Sequence, residues 1–163
     1  MAVIYDSGNF IVNAADFPLI DRNDGGHITI DPKKSFSTRQ DLAPKLAIEL
    51  MRLIAVTGEA MTHVMNKNGV DIGRINYQDN GNWSVFKPGG PLLHYHLYGR
   101  AKHSIHQPYG QSLYFPHKDE YPETYKELTP LTAKDISDIK AEMEKLFQEK
   151  RYRDEEWGLL TTA

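Results

Sequence analysis

The chain has no cysteine among its 163 residues. A disulfide framework and a thiolate zinc site are therefore excluded. No apolar run approaches the ~18 residues that would read as a membrane-spanning helix. Neither sign of charge dominates: 19 Lys and Arg stand against 22 Asp and Glu, for a net charge of −3. That balance does not favour a nucleic-acid duplex or an anionic membrane surface as the main partner. The first residues, Met1 to Asp6, lack the basic and apolar regions of a secretory leader, so a cytoplasmic location is expected. No repeat or low-complexity tract interrupts the chain. What is present is an ordinary globular composition, 40% hydrophobic and 25% charged. The length suits one domain with a real core, spanning 1–163.

Hydrophobic periodicity divides the chain into elements. Phe10 to Asn13 and His27 to Ile30 alternate as strands, with a turn-rich stretch ending Asn23-Asp24-Gly25-Gly26 between them. Asp31-Pro32 ends the second strand. A helix is predicted from about Asp41 to Lys67, with Asp41 as N-cap, Pro44 in the first turn and Asn68-Gly69 as the stop. Gly58 in its middle costs roughly 1 kcal/mol against Ala. Arg74 to Tyr77 and Trp83 to Phe86 read as strands around a turn at Asp79-Asn80-Gly81. Residues 101–128 read as an ordered irregular loop rich in Pro, Gly, Tyr and His. A second helix is predicted from Thr132, with a capping box to Asp135, to about Lys150. Trp157 offers a docking point for the tail. The order of strands, helix, strands and helix predicts an α+β fold with a largely antiparallel sheet of about five strands and two main helices.

The chemistry concentrates in Leu93-His94-Tyr95-His96-Leu97-Tyr98-Gly99-Arg100. Alternation at period two makes this a strand and puts His94, His96 and Tyr98 on one face. Leu93, Tyr95 and Leu97 take the core face. Neutral imidazole is a competent nucleophile near neutral pH. Attack on phosphorus gives a phosphoramidate that water can later open, dividing one hard step into two. Gly89-Gly90, just upstream, is suited to a turn whose backbone N–H groups approach phosphoryl oxygens unobstructed.

The segment from His94 to Arg100 resembles the signature strand of the histidine triad superfamily, His-x-His-x-His followed by apolar residues and often Arg. Gly25 to Lys33 resembles that superfamily's earlier Gly-His strand with its Pro-Lys ending. The two stand in the family's order with a helix between them, and the resemblance spans about 10–100. Residues 101–163 are an extension of loop, helix and tail. The resemblance implies an antiparallel sheet of about five strands with two helices, usually paired as a homodimer. It also implies hydrolysis or transfer of nucleotidyl groups through the middle histidine, on nucleoside phosphoramidates, dinucleoside polyphosphates or related conjugates. No cofactor or metal is called for.

Only two of the three triad histidines are present, and two registers fit. In the first, His94 and His96 are the first and middle members and Tyr98 replaces the third. Gly89 then stands five residues before the first member, as in the family's phosphate loop. In the second, Leu92 replaces the first member, His94 is the nucleophile and His96 the last. Arg100 then follows at the usual four-residue step. The loop spacing favours the first register, with His96 as nucleophile, His94 beside it, and Tyr98 able to meet a phosphoryl oxygen through its hydroxyl. Gly90-Pro91 stands where the family has Gln-Ser, which removes side-chain donors. By resemblance His27 lies behind the triad and orients it, Asn13 falls near a polar ribose contact, and Asn82 lies near an active-site Asn. With Gly89 and Gly90 these are the expected nucleotide- and phosphate-binding residues. Two other classes stand beside this reading. One is a nucleotide-binding module of the same fold without catalysis. The other, ranked lower, is a cupin-like metal protein, because the Glu that a cupin needs shortly after its second histidine is replaced here by Gly99 and Arg100. His103, His106 and His117 suggest metal binding only weakly, since the local Pro and Gly argue against a helix.

Overall fold

A computed structural model describes residues 1–79, 84–116 and 126–160. Five strands, β1 (Ala2–Asp6), β2 (Phe10–Ala14), β3 (His27–Pro32), β4 (Ile72–Asp79) and β5 (Tyr95–Ala101), form one sheet in the order β1-β2-β3-β5-β4. Every neighbouring pair is antiparallel. Two helices, α1 (Pro44–Lys67) and α2 (Ala133–Leu146), complete the α+β fold. No described helix is long and apolar enough to cross a membrane.

The helices cover one face of the sheet. Val12, Ile30 and Tyr95 form one row across three strands, and Ala14, Ile28 and Leu97 form the next. These residues are buried against Leu53, Met61 and Met65 of α1 and Ile139 and Met143 of α2. Each such side chain contributes roughly 1.5–3 kcal/mol when fully buried. Gly58 makes room for the Tyr77 side chain: a Cβ there would lie 2.2 Å from Tyr77 Oη. The helix-weakening glycine is thus set by packing.

Several sequence expectations differ from the structure. The N-terminal run Ala2 to Asp6 is a strand, the β-favouring edge element β1. Of the strand expected at Trp83 to Phe86, Ser84–Phe86 is a turn and Trp83 lies outside the described residues. Asp41 does not cap α1. Its carboxylate accepts from the Thr38 N–H at 2.9 Å, closing a capping box around the 3-10 turn Arg39–Asp41. The helix begins instead with Pro44 at its first position, where a missing N–H costs nothing.

The capping box of α2 is present, and its acid does more than cap. Asp135 accepts from Thr132, from the Arg22 guanidinium at 2.9 Å twice, and from Asn68 Nδ2 at 2.9 Å. Burial pushes its pKa upward. The hydrogen bonds from Arg22, Thr132 and Asn68 outweigh that and hold the carboxyl well below the usual range. One buried carboxylate thus ties α2 to the end of α1 and to the β2–β3 connection. Helix α2 ends at Leu146, earlier than expected. After it the Trp157 indole donates to the Arg151 carbonyl at 2.8 Å and its ring packs on the core.

The opposite face of the sheet carries polar residues. Asn13, Thr29, His96 and Gln78 stand in one cross-strand row, and His27, Tyr98 and Asn76 in the next. Between β3 and β5 the backbones meet directly. A Cβ at Gly25 would fall 2.3 Å from the Gly99 carbonyl carbon, and one at Gly99 would fall 2.2 Å from the Gly25 oxygen. This contact sets His27 beside Tyr98 and aligns the two histidine strands.

Candidate functional site

Strand β5 begins at Tyr95, one residue later than the alternation predicts, and with His94 just before it sets a file of aromatic side chains on the polar face. The His94 and His96 rings are 4.7 Å apart edge to face, and the His96 and Tyr98 rings lie stacked at 5.3 Å. His27 reaches this file from β3, with its ring 5.1 Å from His96 and 4.6 Å from Tyr98. Tyr98 is fully buried, His96 is 9% exposed and His27 is 4% exposed, while His94 is half-buried.

Hydrogen bonds fix where the protons sit. The Leu19 backbone N–H donates to His27 Nδ1 at 3.2 Å, so that nitrogen is the acceptor. The proton of neutral His27 is therefore on Nε2, which lies 2.8 Å from His96 Nδ1 and donates to it. His96 in turn carries its proton on Nε2. His94 is the reverse case. Its Nδ1 lies 2.7 Å from the Leu92 carbonyl oxygen, which can only accept. The His94 proton is on Nδ1, and Nε2 keeps a lone pair.

Electrostatics keep the inner pair neutral. Burial, then the charge of neighbouring His94, lowers His96 to about 4. Burial, then His96 and His94, holds His27 well below the ordinary histidine value. Both are uncharged at neutral pH, as the tautomer chain requires.

A cleft of about 580 Å³ opens over this file. His94, His96 and Tyr98 line it, together with Ser84, Lys87, Gln78 and Leu19 and with Leu113, Tyr114 and Phe115. Among the described residues that line it Lys87 is a cation and none is a carboxylate. A larger cleft, of about 670 Å³, lies between α1, the β1–β2 turn and the tail, and contains none of the expected site residues.

The other expected residues are placed as follows. His27 stands behind His96 and does not line the cleft. Gly89 and Gly90 lie in the turn before β5, outside the cleft lining. The Gly90 N–H is donated to the Lys87 carbonyl at 2.9 Å, and its φ of +64° is left-handed. Lys87, two residues earlier, is the loop residue that does reach the cleft. Asn13 shares the His96 row but gives its Nδ2 to Asp31 Oδ2 at 3.0 Å, where Thr29 Oγ1 also donates at 2.8 Å. Asn82 and His117 lie outside the described residues. The His106 imidazole is hydrogen-bonded to Asp24 at 2.7 Å. Sequence reasoning missed Lys87, Gln78, Ser84 and the stretch Leu113 to Phe115. It also missed Thr29 and Asp31, although both follow His27 at the strand period of two.

No protein-family model and no curated protein matches the sequence. Solved structures do match in shape. A histidine triad protein from Bradyrhizobium japonicum shares 14% identity with a TM-score of 0.60, over 88% of each chain. A hypothetical histidine triad nucleotide-binding protein from Sulfolobus tokodaii shares 16% identity with a TM-score of 0.57, over 91% of this chain and 87% of its own. A histidine triad protein from Marinobacter aquaeolei shares 18% identity with a TM-score of 0.56, over 89% and 87%. With its antiparallel sheet, its two helices and the paired strands that carry His27 and His96, the chain has the fold of the histidine triad proteins.

Proposed function

We propose that this chain binds a nucleotide conjugate in the cleft over β5 and splits or transfers it through a nucleotidyl-histidine intermediate. The observation that carries this reading is the His94 hydrogen bond to Leu92, which leaves an Nε2 lone pair on the neutral ring of a half-buried side chain that lines the cleft beside Lys87. The reading takes the second of the two registers, with His94 as nucleophile and His96 as its partner.

In this mechanism His94 Nε2 attacks the α-phosphorus. An N–P bond forms as the bond to the leaving oxygen or nitrogen breaks. His96 Nε2–H, aligned by His27 and the Leu19 amide, donates a hydrogen bond to the departing group, which takes its proton from water. With its pKa lowered to about 4 by burial and by His94, His96 stays neutral and keeps its proton throughout. Lys87 offers charge to the phosphoryl oxygens, a part that resemblance assigns to the Gln-Ser donors missing here. Water then attacks phosphorus, the N–P bond breaks, and His94 regains its lone pair. A second nucleophile in place of water gives transfer.

The test is incubation with an adenosine phosphoramidate or dinucleoside polyphosphate labelled at the α-phosphorus. Acid-labile label is expected on His94, and His94→Ala is expected to fold and form none. His96→Ala is expected to lose about 10²–10³-fold in turnover through the missing hydrogen bond. Label on His96 instead would return the first register. Nucleotide binding with neither label nor turnover would favour a binding module, a reading supported by Gly90-Pro91 and by the Gly90 N–H already engaged with Lys87.

A further inference from the structure

The cleft of about 670 Å³ between α1, the β1–β2 turn and the tail holds none of the histidines. Its volume suits a small molecule. Leu46, Leu53, Phe147, Leu159 and Leu160 bring apolar surface to it. The Phe147 ring is already engaged, with the Arg52 guanidinium over it at 5.3 Å and the Tyr5 ring 5.1 Å away. The apolar surface left for a ligand is therefore mainly leucine. Leu160 is 52% exposed.

Charge in the same lining is unevenly spent. Its carboxylates are Glu49, Asp154 and Glu155, and its cations Lys45, Arg52 and Arg153. Both Glu49 oxygens are occupied, Oε1 by the Ser7 hydroxyl at 2.7 Å and Oε2 by Asn9 Nδ2 at 2.8 Å. Asp154 is paired with Arg52. Only the exposed Glu155 keeps a carboxylate with no cation beside it among the described residues. The cations keep more. Arg52 gives Nη1 to the Tyr152 carbonyl at 3.1 Å and to Asp154, while among the described residues its Nη2 is neither buried nor hydrogen-bonded. Arg153 gives Nε to the Gln148 carbonyl at 3.1 Å. Neither it nor Lys45 meets a carboxylate among the described residues. Unspent cationic donors thus stand beside aliphatic surface, and an anion joined to an aliphatic body complements both.

We infer that this cleft binds a single-chain anionic amphiphile of the fatty-acid type. Lys45, Arg153 and Arg52 Nη2 take the carboxylate, and Leu46, Leu53, Leu159 and Leu160 take the chain. None of these residues lines the histidine cleft, so the site stands or falls apart from the reaction proposed above.

The full chain is titrated calorimetrically with hexanoate, octanoate and decanoate below their micelle concentrations, and with octanol and octylamine. Each added methylene is expected to tighten binding about two- to fourfold. Octanoate is expected to bind about tenfold more tightly than octanol, and octylamine more weakly than either. Arg52→Lys keeps one cation for Asp154 and the Tyr152 carbonyl and removes Nη2. The double variant Lys45→Gln with Arg153→Gln changes exposed positions only and is expected to keep its melting temperature. Each is expected to bring the octanoate preference over octanol to within about threefold of one. In NMR spectra octanoate is expected to shift amides of 45–53 and 153–160 and to leave those of 94–98 in place. Shifts at 94–98 instead would put the amphiphile over the histidines and overturn the site. Affinity independent of chain length, octylamine binding as well as octanoate, a preference that survives the double variant, or no binding at all would overturn it too. A preference that survives Arg52→Lys would overturn the part given to Nη2. Binding of acetylated dileucine through its free carboxylate, without binding of octanoate, would assign the cleft to a peptide end and overturn the amphiphile.

Discussion

At Gly99 a single methyl group has nowhere to go. The Cβ of an alanine would meet the Gly25 oxygen at 2.2 Å, and the obstacle is backbone on the neighbouring strand. Gly90 is the contrasting case: a Cβ there meets nothing within 4 Å, and the only obstacle is its φ of +64°. Gly99→Ala is therefore expected to cost about 3 kcal/mol, by prising β3 from β5 beneath the histidines. Gly90→Ala is expected to cost about 1 kcal/mol, the penalty of a left-handed conformation alone. Urea midpoints at constant m-value measure both. Equal losses would mean that the Gly25–Gly99 contact does not set strand spacing. The same scale governs the histidines. His94 and His96 are alike in sequence, yet a carbonyl beside one and an imidazole beside the other give them opposite tautomers. Nothing in the chain's periodicity reveals that, because the Leu19 N–H that starts the relay belongs to an irregular loop.

Among the elements, those with internal period were legible and those tied by distant partners were not. Strands β3 and β5 announce themselves by alternation, and α1 and α2 by apolar stripes and caps. β1 has the composition of a strand and a turn signal after it at Ser7-Gly8-Asn9, but Ala2 to Tyr5 are all apolar and show no period of two. The strap of 104–116, which ties back to the turn before β3, reads only as a loop. Its ties connect residues 81 and 82 positions apart, Asp24 to Ile105 and His106, and no local pattern encodes them. The candidate site divides likewise: the histidine file was readable, whereas Lys87 and the stretch Leu113 to Phe115 depend on how loops fold over it. Asp24 is the place to test the strap as an element. Several hydrogen bonds outweigh the effect of burial and lower its pKa. Asp24→Asn keeps the shape but sets an amide donor against donors, and leaving a buried N–H unpaired costs about 1–3 kcal/mol. The amides of Ile105 and His106 are expected to exchange with solvent faster in that variant, while the core strands stay protected. Unchanged exchange at those two amides would show that the strap is held without Asp24.

For the whole molecule, the buried imidazoles link the site to stability. His27 and His96 are neutral in the fold, with pKa values lowered, to about 4 for His96. In the unfolded chain they titrate near the ordinary ~6.5. Above that pH neither state takes up the proton and stability is unaffected. As pH falls below 6.5 the unfolded chain binds protons that the fold refuses, so stability drops with pH, by about 1.4 kcal/mol per pH unit for each fully engaged histidine. For His96 the drop levels off near pH 4, where its imidazole takes up a proton in the fold as well. The lowered carboxylates Asp24 and Asp135 act in a lower window, since their stabilisation is kept above the ordinary carboxylate pKa and lost only beneath it. The interval from 6.5 to 4 thus belongs to the histidines. Melting temperature is expected to fall steadily across it, and the double variant His27→Gln with His96→Asn to flatten the profile there while leaving the steeper loss below pH 4. A flat native profile between 6.5 and 4, or a slope that persists in the double variant, would show that these two rings are not held neutral. The tautomer chain assigned to His96, and with it the hydrogen bond offered to the leaving group, would then have to be abandoned.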